Sequence, residues 1–346
     1  MFECFNLSFS QIPDSLGSDP TMFLQFQNFI KAYNKTYTSN TEYSYRLQTF
    51  QNNYQQLQGI LNAVNLTNSV GVTMHFDLTP QEFSRTFLNL NIDINDLIRA
   101  QTPSGSLKEA LDTQQALRAS QNCSETLMST SMPTSIDWRT RGAIGPIRNQ
   151  GNCGCCWAFS AVSNIESSYF LKYGVLLNLS EQQLLDCNFL SKGCNGGIMQ
   201  QAYDYLMKYS NGAVSHANYP YIAYQSSCKG ANFPALAQVS GYTFAGTTNE
   251  VSIAQMLVNG PLAAGMNANY LQYYYGGIID LPANICNPLG LNHAVNIVGY
   301  GVENGVNYWI VQNSWGTTWG ENGYFRIARG KGTCGINQYI ITAKIR

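Results

Sequence analysis

The sequence predicts an α+β protein whose second part has two subdomains with a cleft between them. Helical patterns fill the first half of the stretch from about residue 133 to the C-terminus, and strand patterns fill its second half. Helices followed by strands are typical of α+β folds, in which the two kinds of element segregate. A chain of 346 residues is also long enough for two or three domains.

Composition narrows the class of protein. Hydrophobic residues make up 45%, as in ordinary globular domains, whereas charged residues reach only 11%, about half the usual share. The formal net charge of -1 lacks the basic excess that nucleic-acid binding requires. No apolar stretch reaches the roughly 18 residues of a membrane span. We therefore expect a globular monomer with neither a nucleic-acid partner nor a membrane span.

The cysteines indicate an oxidising compartment. Eight of the ten lie between residues 153 and 334, and such clustering favours disulfides. Sequons permit secretion and occur at Asn6, Asn34, Asn65, Asn122 and Asn178. The first ten residues lack the basic residue and the apolar run of a signal peptide. Residues 1–18 are therefore interpreted as a leader of uncertain role.

Residues 19–131 form the first part, which we expect to be mainly helical. Apolar residues recur at helical spacing through residues 21–60. Thr79 can cap a further helix, with Pro80 in its first turn and Glu82 three residues after the cap. Residues 101–131 are polar and predict an exposed linker, which is a good target for proteolysis.

Residues 132–346 form the second part. Predicted helices cover Cys156–Tyr173, which Gly174 closes, a segment that begins with a capping-box pattern at Ser180, and residues 197–209. Predicted strands cover residues 293–300, 307–312 and 323–328, where apolar and polar residues alternate.

Cys156 is the candidate nucleophile because it lies where a loop of glycines and cysteines gives way to a helix. The thiolate is the attacking form of cysteine, and the positive potential of a helix N-terminus favours it. The alternative is that these cysteines are structural, since Cys153, Cys155 and Cys156 are crowded together.

A thiolate mechanism needs a histidine, and the chain has three. His293 begins an apolar strand, which is a rigid support for a catalytic base, whereas His216 lies in a loop pattern and His75 in the first part. A lone histidine is more often structural than catalytic, so this elimination leaves the alternative open. Asn313 is a candidate for orienting the imidazole.

These motifs resemble the papain/cathepsin family of cysteine proteases. Residues 150–160 read Gln-Gly-Asn-Cys-Gly-Cys-Cys-Trp-Ala-Phe-Ser, close to that family's nucleophile motif. The resemblance continues at 194–197 (Cys-Asn-Gly-Gly), 313–316 (Asn-Ser-Trp-Gly) and 319–324 (Trp-Gly-Glu-Asn-Gly-Tyr). It implies a papain-like fold, with a helical left subdomain, a β-barrel-like right subdomain and a catalytic cleft between them.

The resemblance also implies roles for individual residues. Cys156 attacks the scissile carbonyl, His293 protonates the leaving amine, and Asn313 orients His293. Gln150 and the backbone N–H of Cys156 form an oxyanion hole, and Trp315 shields the histidine–asparagine hydrogen bond. The implied substrate-binding residues are Gly196, Gly197, Ile198, Met199, Gly265, Leu291, Trp315 and Tyr339. Their apolar character predicts a hydrophobic residue two positions before the cleaved bond. No cofactor and no metal are implied.

Disulfides follow from the same mapping and not from spacing, which cannot fix connectivity. The implied pairs are Cys153–Cys194, Cys187–Cys228 and Cys286–Cys334. Cys155 departs from the family's usual serine and is interpreted as a small buried residue that faces away from the cleft. Asn292 stands where many relatives carry aspartate, which predicts a shifted pH profile.

The first part resembles the inhibitory propeptide of cathepsin L-like zymogens. Residues that match its helix motif are Glu42, Arg46, Phe50 and Asn53, with Leu57 in place of isoleucine. His75 stands where phenylalanine is usual and either adds to acid-triggered release, because histidine titrates near pH 6.5, or is an ordinary substitution. The segment 20–131 is expected to block the cleft until it is cleaved near Ser129–Met132.

Three alternatives compete with a peptidase that acts on proteins or peptides. An inactive homologue that binds or stores would usually have lost the nucleophile, the histidine or the glutamine. A transglutaminase-like acyltransferase would not carry the flanking motifs. A metal site would need a second pair of ligands after the clustered cysteines. The expected compartment is a lysosome, a digestive vacuole or the outside of the cell.

Overall fold

The computed structural model describes residues 20–63, 69–92, 132–245 and 249–346. The predictions for residues 1–18, for the linker at 101–131 and for Cys4 and Cys123 lie outside these ranges. The helices within them are α1 (Pro20–Ala32), α2 (Asn40–Ala63), α3 (Pro80–Phe87), α4 (Cys156–Tyr173), α5 (Glu181–Cys187), α6 (Met199–Lys208) and α7 (Glu250–Val258). In these ranges no helix has both the length and the apolar character needed to cross a bilayer.

The strands within the described residues are β1 (Ile136–Asp137), β2 (Ala213–Val214), β3 (Ala235–Ala237), β4 (Val239–Phe244), β5 (Leu262–Met266), β6 (Ile278–Ile279), β7 (His293–Glu303), β8 (Val306–Gln312), β9 (Tyr324–Ala328) and β10 (Tyr339–Ile345). The main sheet has the order β4-β10-β5-β7-β8-β9-β6, with β1 paired to β7. Its pairs are antiparallel except for β6 with β9. The α+β class and the papain-like architecture are confirmed.

The first part consists of helices held together by aromatic packing. Phe26 and Phe29 of α1 contact Phe50 of α2, with ring centroids 5.4 and 5.2 Å apart. The helical spacing of apolar residues through 21–60 corresponds to two helices, because the chain leaves the helix after Ala32 and α2 begins at Asn40. Asn34 adopts a φ of 49° there, which a right-handed helix does not allow.

Helix α3 begins as the sequence predicted. The Thr79 side chain accepts a hydrogen bond from the Glu82 N–H at 3.1 Å, and the Glu82 carboxylate accepts one from the Thr79 N–H at 2.8 Å. Each bond satisfies an N–H that the helix leaves unpaired. Arg46 of α2 also donates to the Glu82 carboxylate at 2.9 Å. The capping contacts and this ion pair together fix α3 against α2.

Helix α4 is the central helix of the second part. It spans the predicted residues and ends at Gly174, whose φ of 72° suits a glycine cap. It packs against β7 and β10, so its N-terminus meets the start of the strand that carries His293. Helix α6 begins at Met199 and not at 197, because the backbone of Gly197 pairs with the first part of the chain.

Two hydrophobic clusters define the subdomains. One contains Trp157 and Tyr203 of the helical subdomain, and the other contains Trp309 and Phe325 of the sheet subdomain. Residues of α1, α2 and α3 belong to the second cluster, so the first part packs mainly on the sheet subdomain. The structure contains the three disulfides Cys153–Cys194, Cys187–Cys228 and Cys286–Cys334.

Candidate active site

Cys156 is the first residue of α4 and faces the other subdomain. Its side chain is completely buried. Backbone N–H groups of Ala294 and Asn89 lie against the thiol, and hydrogen bonds from them oppose the rise in its pKa that burial causes. Because Ala294 follows His293 in β7, the thiol meets the beginning of that strand.

His293 and Asn313 form a hydrogen-bonded pair across two neighbouring strands. The His293 Nε2 lies 2.8 Å from the Asn313 Oδ1, and Asn313 follows the last residue of β8. The indole of Trp315 covers this pair, with its ring centroid 4.8 Å from that of His293. All three side chains are buried.

Gln150 joins the same site from the loop before α4. Its side-chain amide donates to the Cys153 carbonyl at 2.9 Å, and its Oε1 accepts from the Ser314 Oγ at 2.6 Å. The Cys153 carbonyl can only accept, so the first bond fixes which end of the amide is the donor, and the NH₂ group also reaches the segment in the cleft. Sequence reasoning assigned no role to Ser314, although it lies inside the Asn-Ser-Trp-Gly motif.

The chain's own first part fills the cleft above these groups. The Phe87 carbonyl accepts a hydrogen bond from the Gln150 Nε2 at 3.3 Å. Beyond it, the chain pairs in parallel with Gly197: the Gly197 N–H donates to the Asn89 carbonyl, and the Asn91 N–H donates to the Gly197 carbonyl, both at 3.3 Å. This segment therefore occupies both the hydrogen-bonding group of the Gln150 side chain and the open backbone edge at Gly197.

Steric contacts explain why the residues at that edge are glycines. Gly196 adopts a φ of 114°, and a Cβ there would lie 2.4 Å from the Asn89 carbonyl oxygen. A Cβ on Gly197 would lie 2.9 Å from the Trp157 ring. A side chain at Gly196 would therefore push away a strand that pairs here, and one at Gly197 would collide with the helical subdomain itself.

Burial changes the proton equilibria of both reactive groups. It raises the pKa of the Cys156 thiol to about 11. It also lowers the pKa of His293 to about 4, although the hydrogen bond to Asn313 raises it. Both shifts favour the neutral forms, because removing a charge from water costs free energy. The covered site therefore holds a thiol and a neutral imidazole.

Several of the predicted substrate-binding residues pack in the same apolar cluster as Cys156. Gly265 of β5 is paired with Tyr339 of β10, and the side chains of Leu90 and Ile92 from the first part reach the space above Gly265. Other side chains of the same cluster are Ile198, Met199 and Leu291. Tyr339 is 2% exposed and packs edge-to-face on Phe244.

His75 lies under the first part and against the site. Its ring centroid is 4.5 Å from Phe87 and 5.5 Å from Trp315. It is 4% exposed, and its Nε2 has no hydrogen-bond partner among the described residues. Burial lowers the pKa of His75 to about 3, with a further contribution from Lys35. The contact with Trp315 joins distant parts of the sequence and could not be predicted.

A nucleophile and an imidazole that share a cleft, with the same chain's N-terminal segment pressed over both, are the arrangement of a cysteine protease before activation. This class is supported by comparison with known proteins. The chain belongs to the papain family of cysteine proteases, whose family model matches residues 132–344. A second model, the cathepsin propeptide inhibitor domain, matches residues 26–83. The chain is therefore a papain-like cysteine protease zymogen.

Individual relatives agree with this assignment. The chain is 36% identical to fruit bromelain of Ananas comosus over 325 residues, covering 92% of this chain and 85% of the relative. It is also 36% identical to cysteine proteinase 1 of Dictyostelium discoideum over 348 residues, covering 94% and 93%. Among solved structures, digestive procathepsin L2 from the larval midgut of Tenebrio molitor superposes with a TM-score of 0.76 at 34% identity, covering 93% of this chain and 99% of that one.

Proposed function

We propose that the protein is an endopeptidase in which Cys156 is the nucleophile and His293 the acid–base group. The observation that carries the proposal is the 2.8 Å contact between the His293 Nε2 and the Asn313 Oδ1, in a cleft that also contains the buried thiol at the N-terminus of α4. Because Asn313 uses Nε2, the other ring nitrogen is left to take the proton of the thiol.

Removal of the first part would favour the ionised forms of Cys156 and His293, a thiolate and an imidazolium. Water then reaches both groups, the penalty of burial falls, and the helix N-terminus favours the thiolate. The thiolate attacks the scissile carbonyl, and the Gln150 amide and the Cys156 N–H donate to the oxyanion that forms. His293 protonates the leaving amine, and water then hydrolyses the acyl-enzyme with His293 as base.

The decisive experiment compares four zymogens: wild type, Cys156→Ala, Cys155→Ala and His293→Ala. Each is incubated at acid pH with a thiol, its processing is completed by a trace of active wild-type enzyme, and a fluorogenic peptide is added. We expect hydrolysis by the wild type and by Cys155→Ala, and none above the trace enzyme's own rate by the other two. Hydrolysis by Cys156→Ala would refute the assignment of the nucleophile. If the wild type is inactive even after another protease has removed the residues before about 132, an inactive homologue is favoured.

We propose further that the enzyme prefers a hydrophobic residue two positions before the cleaved bond. Support comes from Leu90 and Ile92, which occupy the apolar space over Gly265 in the zymogen. Tyr339 closes this space, so leucine or valine fits better there than phenylalanine. A peptide series with leucine, phenylalanine or arginine at that position tests the preference, and Tyr339→Ala should improve the phenylalanine substrate. Equal rates for arginine and leucine would contradict the proposal.

We expect the enzyme to work as a monomer on proteins or peptides, without a nucleic-acid partner, in an acidic setting that keeps Cys156 reduced. The three disulfides support a lysosome, a digestive vacuole or secretion. Light scattering of the processed enzyme tests the first point. Fractionation of the source cells, with an antibody to residues 132–346, tests the second, and a wholly cytosolic signal would contradict it. N-terminal sequencing of that enzyme tests the cleavage site near Ser129–Met132.

A further inference from the structure

A hydrogen-bonded pair lies behind the Gln150 loop, and the proposed mechanism does not use it. The Cys155 Sγ is 3.0 Å from the Tyr221 hydroxyl oxygen, and the Tyr221 hydroxyl donates to the Gln150 backbone carbonyl at 2.6 Å. Cys155 is completely buried. The pair therefore touches the loop from inside the helical subdomain and not from the cleft.

The direction of the two bonds is fixed by the number of hydrogens. A tyrosine hydroxyl has one hydrogen, and the carbonyl of Gln150 can only accept. The Tyr221 hydrogen is thus committed to Gln150, and the thiol of Cys155 must donate to the Tyr221 oxygen. Burial raises the pKa of Cys155 well above its ordinary value, so the thiol keeps the proton that this contact needs.

Gln150 is held from two sides by its backbone. Its N–H donates to the Ser314 carbonyl of the sheet subdomain at 2.8 Å, and its carbonyl accepts from Tyr221 of the helical subdomain. The next residue, Gly151, has a φ of 57°, and a glycine adds little stiffness of its own. Loss of the Tyr221 hydroxyl would therefore leave the peptide unit between Gln150 and Gly151 held only at its N–H, which donates to the Asn149 side chain at 2.9 Å.

The Tyr221 ring is well placed to act as a fixed support. It packs edge-to-face on Phe159 of α4, with ring centroids 4.9 Å apart. Phe159 lies one turn from Cys156 on the same helix. The ring thus ties the Gln150 loop to the helix that carries the nucleophile, and the distance between the Gln150 amide and the Cys156 N–H depends on this tie.

We propose that Tyr221, supported by the Cys155 thiol, is a positioning residue for the oxyanion hole. The Cys155–Tyr221 pair holds the Gln150 backbone so that its side-chain amide meets the oxyanion in the transition state. The inference rests on the proposed function of Gln150. A purely structural pair would instead affect every property of the site equally.

The test uses two reactions of Cys156 that differ in one respect. Peptide hydrolysis forms an oxyanion, whereas alkylation by iodoacetamide does not. Zymogens with Tyr221→Phe, Cys155→Ala and Cys155→Ser are activated at acid pH with a thiol and titrated for active sites. The matched control is Tyr224→Phe, an exposed tyrosine of the same loop. We measure kcat, KM, the alkylation rate and the inhibition constant of a peptide aldehyde, which forms an oxyanion on binding.

We expect Tyr221→Phe to lower kcat by about tenfold, the usual loss for one hydrogen bond in a transition state. The inhibition constant of the peptide aldehyde should rise by the same factor, while KM and the alkylation rate stay within about twofold of the wild type. Cys155→Ala should cause a smaller loss, and Cys155→Ser should reverse it because a hydroxyl also donates. The variant with Tyr221→Phe and Cys155→Ala should match Tyr221→Phe alone.

Three results would overturn the inference. These are an unchanged kcat in Tyr221→Phe, an alkylation rate that falls together with kcat, and a Cys155→Ser enzyme as slow as Cys155→Ala. Gln150→Ala separates the inference from the mechanism beneath it. If Gln150→Ala hydrolyses normally, the proposed oxyanion hole is wrong. If it is slow and Tyr221→Phe is normal, only the positioning role is wrong.

Discussion

Replacing His75 with phenylalanine should remove much of the pH dependence with which the zymogen opens. Burial against Phe87 and Trp315 lowers the pKa of His75 to about 3, from an ordinary value of 6.5. The nearest charge that adds to this shift is Lys35, which is itself paired with Asp77 at 2.9 Å. In the closed zymogen the imidazole is therefore neutral, while in an opened propeptide it takes up a proton below pH 6.5.

The sign and size of the effect follow from this difference. A group whose pKa is lower in the closed form stabilises that form fully above pH 6.5, and the contribution is lost as the pH falls toward 3. At pH 4.5, two units below the ordinary value, the loss is about 2.7 kcal/mol, or about 100-fold in the closing equilibrium. His75→Phe keeps an aromatic ring in the pocket and cannot be protonated.

The assay is the rate at which excess iodoacetamide labels Cys156 in the intact zymogen. Labelled molecules cannot process themselves, and mass spectrometry confirms the full-length chain. The ratio of wild type to His75→Phe cancels the intrinsic pH dependence of the thiol. We expect a ratio near one at pH 7.5 that rises to about 100 at pH 4.5. His216→Phe, a change in the peptidase domain, should follow the wild type. A ratio that stays flat from pH 7.5 to 4.5 would refute the reasoning.

Three other changes test contacts described above. Asn313→Ala should lower kcat of the processed enzyme by at least about tenfold, because His293 loses its orienting partner; an unchanged kcat would contradict this role. Thr79→Ala removes one half of the capping box of α3 and should destabilise the propeptide by about 1 kcal/mol, seen as a lower melting temperature of the zymogen. Ser84→Ala, at a half-buried position of the same helix that caps nothing, is the comparison and should leave the melting temperature nearly unchanged. Replacing Cys286 and Cys334 with serine opens a loop of 48 residues and should cost about 4 kcal/mol in denaturant unfolding, and an unaltered midpoint would count against it.

Local signals made the fold predictable where they were strong. Helix α4 has a glycine cap at Gly174 with a φ of 72°, and α3 has a complete capping box. The C-terminal end of α4 and the N-terminal end of α3 were therefore predictable from the sequence. The helical spacing alone did not locate the break after Ala32, because periodic apolar residues continue on both sides of it. The start of α6 was misplaced because Gly197 is engaged by a segment more than a hundred residues earlier.

In the candidate site, too, local motifs were predictable and contacts between distant parts of the chain were not. The positions of Cys156, His293 and Asn313 followed from motifs, since each motif is short and lies at the end of an element. The contacts that hold Gln150 in place could not be predicted in this way. Ser314 and Tyr221 fix Gln150 through contacts that join distant parts of the chain, and only folding reveals such contacts.

The propeptide and the peptidase domain are one covalent chain, and this has a consequence for latency. The segment over the cleft is tethered, so its local concentration at the site is on the order of millimolar, whatever the concentration of the zymogen. Dilution alone therefore cannot activate the intact chain. One cut between residues 92 and 132 turns the intramolecular contact into a bimolecular one. The freed segment then dissociates when its concentration falls below its dissociation constant. The timing of activation is thus decided by a bond outside the site it controls.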